Sequence, residues 1–251
     1  MVHNNKEVLE YWNKPDVESM YDKNLINAEI KLINSKITEG SKILDAGCGE
    51  GEGTVVYASN KGASVYACDF SETRLEKARE RVGHLNNITL KQVDFLKDYS
   101  LDTDFDFIVS QRFIINLMEW DLQKKVILEL INHLKPGGTF LMLEGYEEGV
   151  NELNDLRAHF GLGPIPVKWH NLFLQKNKID KLIQDNNLQL TGFEGLGTYF
   201  MLTRGIRPCF DNQLNWDTEF NKIAASATVS ETIGLNTKFS RLALWSIKRS
   251  K

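Results

Sequence analysis

The stretch from Lys42 to Gly53, K-I-L-D-A-G-C-G-E-G-E-G, constrains the fold of this chain more than any other. A short apolar run, Ile43-Leu44, leads into a carboxylate at Asp45 and then glycines at 47, 49, 51 and 53, which is how a buried strand runs into a tight turn. Glycines at this density permit positive φ and let a ligand approach the backbone closely, and a following helix would aim its free N–H groups at that ligand. The stretch therefore predicts a strand-turn-helix unit of an α/β fold with a cofactor at the turn.

The charge of the turn narrows the cofactor. A dinucleotide fingerprint, G-x-G-x-x-G, would need glycine at position 52 after Gly47 and Gly49, and that residue is Glu52. Asp45 and Glu50 add carboxylates that would repel a pyrophosphate and suit a ligand carrying an ammonium and a sulfonium, which points to S-adenosylmethionine. The run Ile43 to Gly51 also resembles the first motif of the class I (Rossmann-like) S-adenosylmethionine-dependent methyltransferases, an acidic residue followed by G-x-G-x-G. The resemblance implies an α/β fold with a seven-stranded, mostly parallel sheet. Its order would be 3-2-1-4-5-7-6, with the last strand antiparallel, helices on both faces and a small cap. It assigns Asp45, Gly47, Cys48, Gly49 and Gly51 to the cofactor, with S-adenosylhomocysteine as product.

With 251 residues, 42% hydrophobic and 25% charged, the chain is read as a single domain over 1–251 with an elaboration. A formal charge of −4 leaves no basic footprint, so a nucleic-acid partner is not expected and a small-molecule substrate is. Three cysteines, Cys48, Cys68 and Cys209, contain no C-x-x-C, so neither a disulfide framework nor a metal site is indicated. No signal-like N-terminus and no apolar run of membrane-spanning length occurs, so a cytoplasmic protein without a membrane partner is expected. The oligomeric state is unknown.

Residues from about Glu7 to Lys36 read as helix in two pieces broken near Pro15, with Leu25, Ala28, Glu29, Leu32 and Ile33 as a stripe at helical spacing. In the resembling family an aromatic group such as Tyr11, Trp12 and Tyr21 often forms a lid, so 1–36 is the expected lid and Tyr11 a cofactor neighbour. Ordinary docking contacts of a first helix are the alternative. A second strand ends at Asp69-Phe70, 18 residues beyond Gly51, where a βαβ unit places the carboxylate for ribose hydroxyls. Ser71 is the expected cap of the next helix. After a third strand, Ile88 to Val93, Asp94-Phe95 matches the family motif in which a carboxylate meets the adenine amine and an apolar neighbour covers the ring; a turn-forming Asp is the alternative.

A fourth strand, Phe105 to Ser110, delivers Gln111 and Arg112 to the carboxyl edge of the sheet, where the transferred methyl should lie. Arg112 is read as holding an anionic group, against a structural ion pair. The L-K-P-G-G run 134–138 is the expected turn before a fifth strand, Thr139 to Leu143, and a sixth strand is placed at Thr198 to Thr203. The segment 145–195 is the expected substrate-side insertion. There His170 is the candidate general base on its ordinary pKa near 6.5, against a loop histidine bonded to backbone. Tyr199 and Arg204 are further substrate-side candidates. The function expected is methyl transfer to a small molecule, to an oxygen of a sugar, sugar-nucleotide or phosphate-bearing metabolite of surface-glycan or secondary metabolism. A nicotinamide-dependent oxidoreductase and a catalytically silent binding subunit are the rivals.

Overall fold

The computed structural model describes residues 5–14, 16–17, 21–211 and 215–250. Seven strands form one sheet in the order β3-β2-β1-β4-β5-β7-β6. They are β1 Lys42–Ala46, β2 Ser64–Asp69, β3 Ile88–Gln92, β4 Phe105–Gln111, β5 Leu134–Gly145, β6 Gln189–Gly195 and β7 Leu242–Lys248. Strands β1 to β5 pair in parallel, and β7 runs antiparallel between β5 and β6, as the resemblance implies. The chain leaves β1 toward β2 and β3 and then returns to β4 on the other side of β1. Loops diverge at that reversal, and a crevice opens at the carboxyl ends of β1 and β4.

Side-chain alternation divides the core between the two faces. Ile43, Val109 and Leu141 pack under helices α2 (Lys23–Asn34) and α3 (Glu52–Lys61), whereas Leu44, Ile108 and Phe140 pack under α5 (Trp120–Asn132) and α7 (Lys176–Asp185). Because both faces are covered, the central strands are apolar in both registers, with Ile43, Leu44, Ile108 and Val109 fully buried. Helix α1 (Asn5–Trp12) lies at the crevice, α4 (Glu72–Val82) follows β2, and α6 (Glu147–His159) follows β5. Asp22 caps α2 by accepting from the Leu25 N–H, and Ser71 caps α4 by accepting from Arg74.

Pro15, the expected helix break, lies outside the described residues; α1 ends before it at Trp12 and α2 begins at Lys23, so the segment is helix in two pieces as expected. Two details depart from the sequence reading. The L-K-P-G-G run does not precede β5 but forms its first part, because Leu134 pairs with Phe105 and Gly137, at φ 81°, lets the strand continue across a register shift. The sixth strand is Gln189–Gly195, not Thr198 to Thr203, which is helical. That short apolar run is compatible with either state, and tertiary bonds decide it: Thr203 donates to the Tyr199 carbonyl, and the Tyr199 hydroxyl bonds both oxygens of Asp22.

Candidate functional site

The glycine turn after β1 is closed by its own backbone. The N–H groups of Gly47 and Cys48 both reach the Cys68 carbonyl, at 2.8 and 2.9 Å, and Gly51 N–H reaches the Cys48 carbonyl at 3.0 Å. Gly47, Gly49 and Gly51 all take positive φ. At Gly47 a side chain is excluded twice over, by φ 74° and because a Cβ would stand 2.6 Å from that of Phe113. Gly51 is the left-handed cap of α3, whose first N–H groups therefore open onto the turn. Beneath it Asp45 accepts from the Thr54 hydroxyl at 2.6 Å; burial pushes its pKa up to about 6, with Thr54 opposing and Asp69 adding to the rise.

Asp69 closes the next strand end over the turn. One carboxylate oxygen accepts from Gly49 N–H and the other from Ser71 N–H, both at 2.9 Å. Burial raises its pKa, opposed chiefly by these two N–H groups. Asp94, at the end of β3, accepts from Leu96 N–H and pairs with the exposed Lys97. Phe95 is buried against Phe113, ring centroids 5.4 Å apart, and Phe113 in turn covers Gly47. Phe70 lies with Asp69, Asp94 and Phe95 on the wall of one cavity. Glu50, expected to contribute negative charge, is instead neutralised by Arg74 at 2.7 Å and Lys77 at 3.0 Å. The acidic character of this end rests on Asp45, Asp69 and Asp94.

At the carboxyl edge of β4, Gln111 and Arg112 both bind Glu29 of α2, a carboxylate with no exposure. Glu29 sits in the stripe that reads as apolar, and this pairing is why it can be buried there. Arg112 holds φ 56°, and its carbonyl accepts from Asn116 at 2.7 Å. The turn that follows is fixed by Glu144 at the end of β5. This fully buried carboxylate accepts from the Ser110 hydroxyl and from the N–H groups of Phe113, Ile114 and Ile115 at 2.8 to 3.2 Å. Burial pushes its pKa up to about 7 against those donors.

Tyr11, Trp12 and His170 meet above this edge. Trp12 Nε1 donates to Asn116 at 3.1 Å, and the Arg74 guanidinium lies 5.1 Å from the Trp12 ring while donating to the Val17 carbonyl. Tyr11 stacks on His170 at 4.6 Å, and Trp12 and Trp169 meet the same imidazole edge-on. His170 is 2% exposed and its Nδ1 has no hydrogen-bond partner. Burial, with Lys168 adding to it, lowers its pKa to about 4, in place of the ordinary value on which the base assignment rests. Of the other substrate-side candidates, Arg204 pairs with Asp22 and lines the cavity, whereas Tyr199 is buried beneath it. The segment 145–195 divides: α6 and the loop through Asn171 border the cavity, while α7 and β6 are scaffold of the sheet.

One cavity of about 900 Å³ joins all of this, from the glycine turn past Arg112 to His170 and Arg241. Glu144, Glu29, Arg74, Asn116 and Arg241 are parts of the site that the sequence reading did not single out. For Glu144 a signal existed, since it ends a strand as Asp45 and Asp69 do; Arg241 also precedes a strand whose start lies at the ligand edge. Among the described residues no cluster of His, Cys, Asp or Glu could hold a metal ion, and no helix is long and apolar enough to cross a membrane.

Comparison with known proteins agrees with this geometry. The family model described as a methyltransferase domain matches residues 43–138. A demethylmenaquinone methyltransferase of Staphylococcus haemolyticus is 31% identical over 140 residues, which are 51% of this chain and 57% of that protein. The match thus spans little more than half the length of this curated relative. Among solved structures, geranyl diphosphate C-methyltransferase from Streptomyces coelicolor superposes with a TM-score of 0.63 at 15% identity, covering 98% of each chain. A putative methyltransferase of Haloferax volcanii, solved with the activator Trm112, gives 0.61 at 16% identity over 100% of this chain and 99% of that one. Residues 43–138 thus match a methyltransferase domain, and the whole chain has the fold of these solved methyltransferases.

Proposed function

We propose that this chain moves a methyl group from S-adenosylmethionine to a small-molecule acceptor in the cytoplasm. The observation that carries the reading is the single cavity, whose acidic end is the glycine turn and whose other end is basic and aromatic. Its volume of about 900 Å³ stands at the upper end of small-molecule sites, roughly 300–1,000 Å³, room for a cofactor and an acceptor side by side. The donor set fits the cofactor: Asp69 for the ribose hydroxyls, Asp94 for the adenine amine, Phe95 and Phe70 beside the adenosine, and Asp45 below the turn for the ammonium. Gly49 leaves open space where a Cβ would be, so nothing blocks a ligand from the backbone there.

The sulfonium supplies an activated methyl when bound, so the protein's part is alignment and exclusion of water. Arg112, tied to Glu29, acts as a fixed wall of the transfer zone, and the Tyr11–His170 stack closes it from above. An imidazole with pKa about 4 is neutral at pH 7 and a weak base. An oxygen that is already ionised, or ionises easily, suits it better than an alcohol. The acceptor we assign is accordingly an oxygen of a phosphate-bearing metabolite, with sugar and sugar-nucleotide hydroxyls second. A nucleic-acid substrate does not suit the formal charge of −4.

The test is calorimetric titration of S-adenosylmethionine, S-adenosylhomocysteine and NADH into the wild-type protein. Saturable binding of the first two and not the third is the expected outcome. Binding of NADH alone would overturn the assignment in favour of the oxidoreductase. Mass-spectrometric screening of phosphorylated and carboxylated metabolites for a gain of one methyl then separates an enzyme from a silent binding subunit.

A further inference from the structure

The basic end of the cavity has more positive charge than the fold neutralises. Four cations repel one another across it: Arg112, Lys168, Arg204 and Arg241. Arg112 is paired by Glu29 and Arg204 by Asp22. Arg241 and Lys168 have no carboxylate partner among the described residues. Arg241 directly precedes β7, and because β7 is antiparallel its first residues lie beside Gly145 at the carboxyl end of β5, on the ligand edge of the sheet. Its guanidinium is aimed by Phe173, 5.7 Å from the ring centroid, and by one donation from Nη2 to the Pro166 carbonyl at 3.3 Å. Among the described residues Nε and Nη1 have no hydrogen-bond partner. Lys168 is two residues further along the same loop and also lines the cavity.

A second observation marks the same place as unfinished. His170, in the same loop, is 2% exposed, faces this cavity and leaves Nδ1 buried without a partner. A buried polar atom of this kind destabilises the fold unless something binds it, and so do two unneutralised cations in a partly dehydrated pocket. Both deficits are removed by one ligand that carries an anion and, beside it, a hydrogen-bonding group.

We infer that the acceptor carries an anionic handle, a carboxylate or phosphate group, held between Arg241 and Lys168, with a neighbouring polar group on His170 Nδ1. This rests on the methyltransferase reading and deepens it. It moves anion recognition away from Arg112, whose charge Glu29 already answers. It also disfavours acceptors whose only charge is an ammonium, since they would meet like charge at this end.

The probes are inorganic pyrophosphate and malonate, titrated by calorimetry into protein saturated with S-adenosylhomocysteine. One or both bind with a stoichiometry of one site, and which of them binds says whether the handle is phosphate or carboxylate. Arg241→Gln and Lys168→Met each weaken that binding by about tenfold or more, as loss of a charge-assisted contact does. Their affinity for S-adenosylhomocysteine stays at the wild-type value, which also shows that the variants are folded. Binding of neither probe to the wild type, or equal binding by wild type and both variants, overturns the proposal. Failure of the wild type to bind S-adenosylhomocysteine at all would instead overturn the methyltransferase reading, so the two failures are told apart.

Discussion

The two ends of the cavity are built on different principles. The end we propose for the cofactor is assembled from strand tips: Asp45 from β1, Asp69 from β2 and, just beyond β3, Asp94, each delivered to one edge by parallel pairing. The end we propose for the acceptor is assembled from what lies over the sheet: α1, α2, the loop before Asn171 and the residue entering β7. One end is acidic and held by backbone N–H groups; the other is basic and held by aromatic stacking and by ion pairs between residues far apart in the sequence. Topology brings the tips of β1, β2 and β3 to one edge, and local sequence puts a carboxylate at or just beyond each. The acceptor end is free to vary, which is where a choice among substrates can be made.

The sharpest way to break this comparison is to remove what serves only one end. Asp69→Ala deletes the acceptor of Gly49 and Ser71 N–H groups together with the carboxylate proposed for the ribose. Two or three charge-assisted bonds at ~1.5–3 kcal/mol each imply at least about a hundredfold loss of S-adenosylmethionine affinity by calorimetry. Pyrophosphate and malonate binding should be retained in that variant. Loss of both together would mean that the two ends are one cooperative unit.

Glu144 is the element both ends share, so its removal should not discriminate between them. Its carboxylate fixes the turn carrying Phe113, which covers Gly47, and Asn116, which holds Trp12. Glu144→Gln sets an amide donor against donors, and chemical denaturation should show a loss of about 2–4 kcal/mol. The native protein should also depend on pH through this group. Its folded pKa of about 7 lies above the ordinary 4.5, so the folded state binds the proton more tightly, and its contribution to stability declines as pH rises from about 4.5 to 7. The Gln variant should lack that part of the slope.

Asp45 gives a smaller and one-sided effect. Its pKa in the free protein is raised to about 6, and an ammonium bound nearby would lower it again. The complex therefore favours the carboxylate form, so S-adenosylmethionine affinity is level above pH 6. Below pH 6 it falls by up to about tenfold per unit, with proton release on binding. Calorimetry in buffers of different ionisation enthalpy measures that proton. An affinity flat from pH 5 to 7 would mean that Asp45 does not face the bound cation.

This difference between the ends also governs how much could be read without the structure. The turn and the strands that end at Asp69 and before Asp94 were legible because local residues at set spacings build them, and the sheet order followed from the family resemblance those motifs carry. Glu29 was not, because a carboxylate in an apolar stripe makes sense only once Arg112, 83 positions away, is brought against it. Thr198 to Thr203 was misread as strand for the same reason: its helical state depends on Asp22 across the fold. His170 was found as a residue, but its lowered pKa comes from burial among Tyr11, Trp12 and Trp169, which no local pattern records.

Helix α1 spans the divide, and its two aromatic neighbours offer the finest test. Trp12 reaches Arg74 and Asn116 besides meeting His170 edge-on, while Tyr11 stacks on His170 and touches Trp12. Trp12→Phe removes one neutral hydrogen bond and keeps most of the ring, about 1 kcal/mol, so cofactor dissociation in stopped flow should quicken about fivefold. Tyr11→Leu removes a stacked contact of similar size and should weaken the anion probes by a few-fold while sparing the cofactor. If each substitution moves only its own ligand, α1 is two independent contacts on one helix. If each moves both, the helix docks as a unit, and the first ligand to bind pays the cost of ordering it for the second, which makes the pair bind with positive cooperativity.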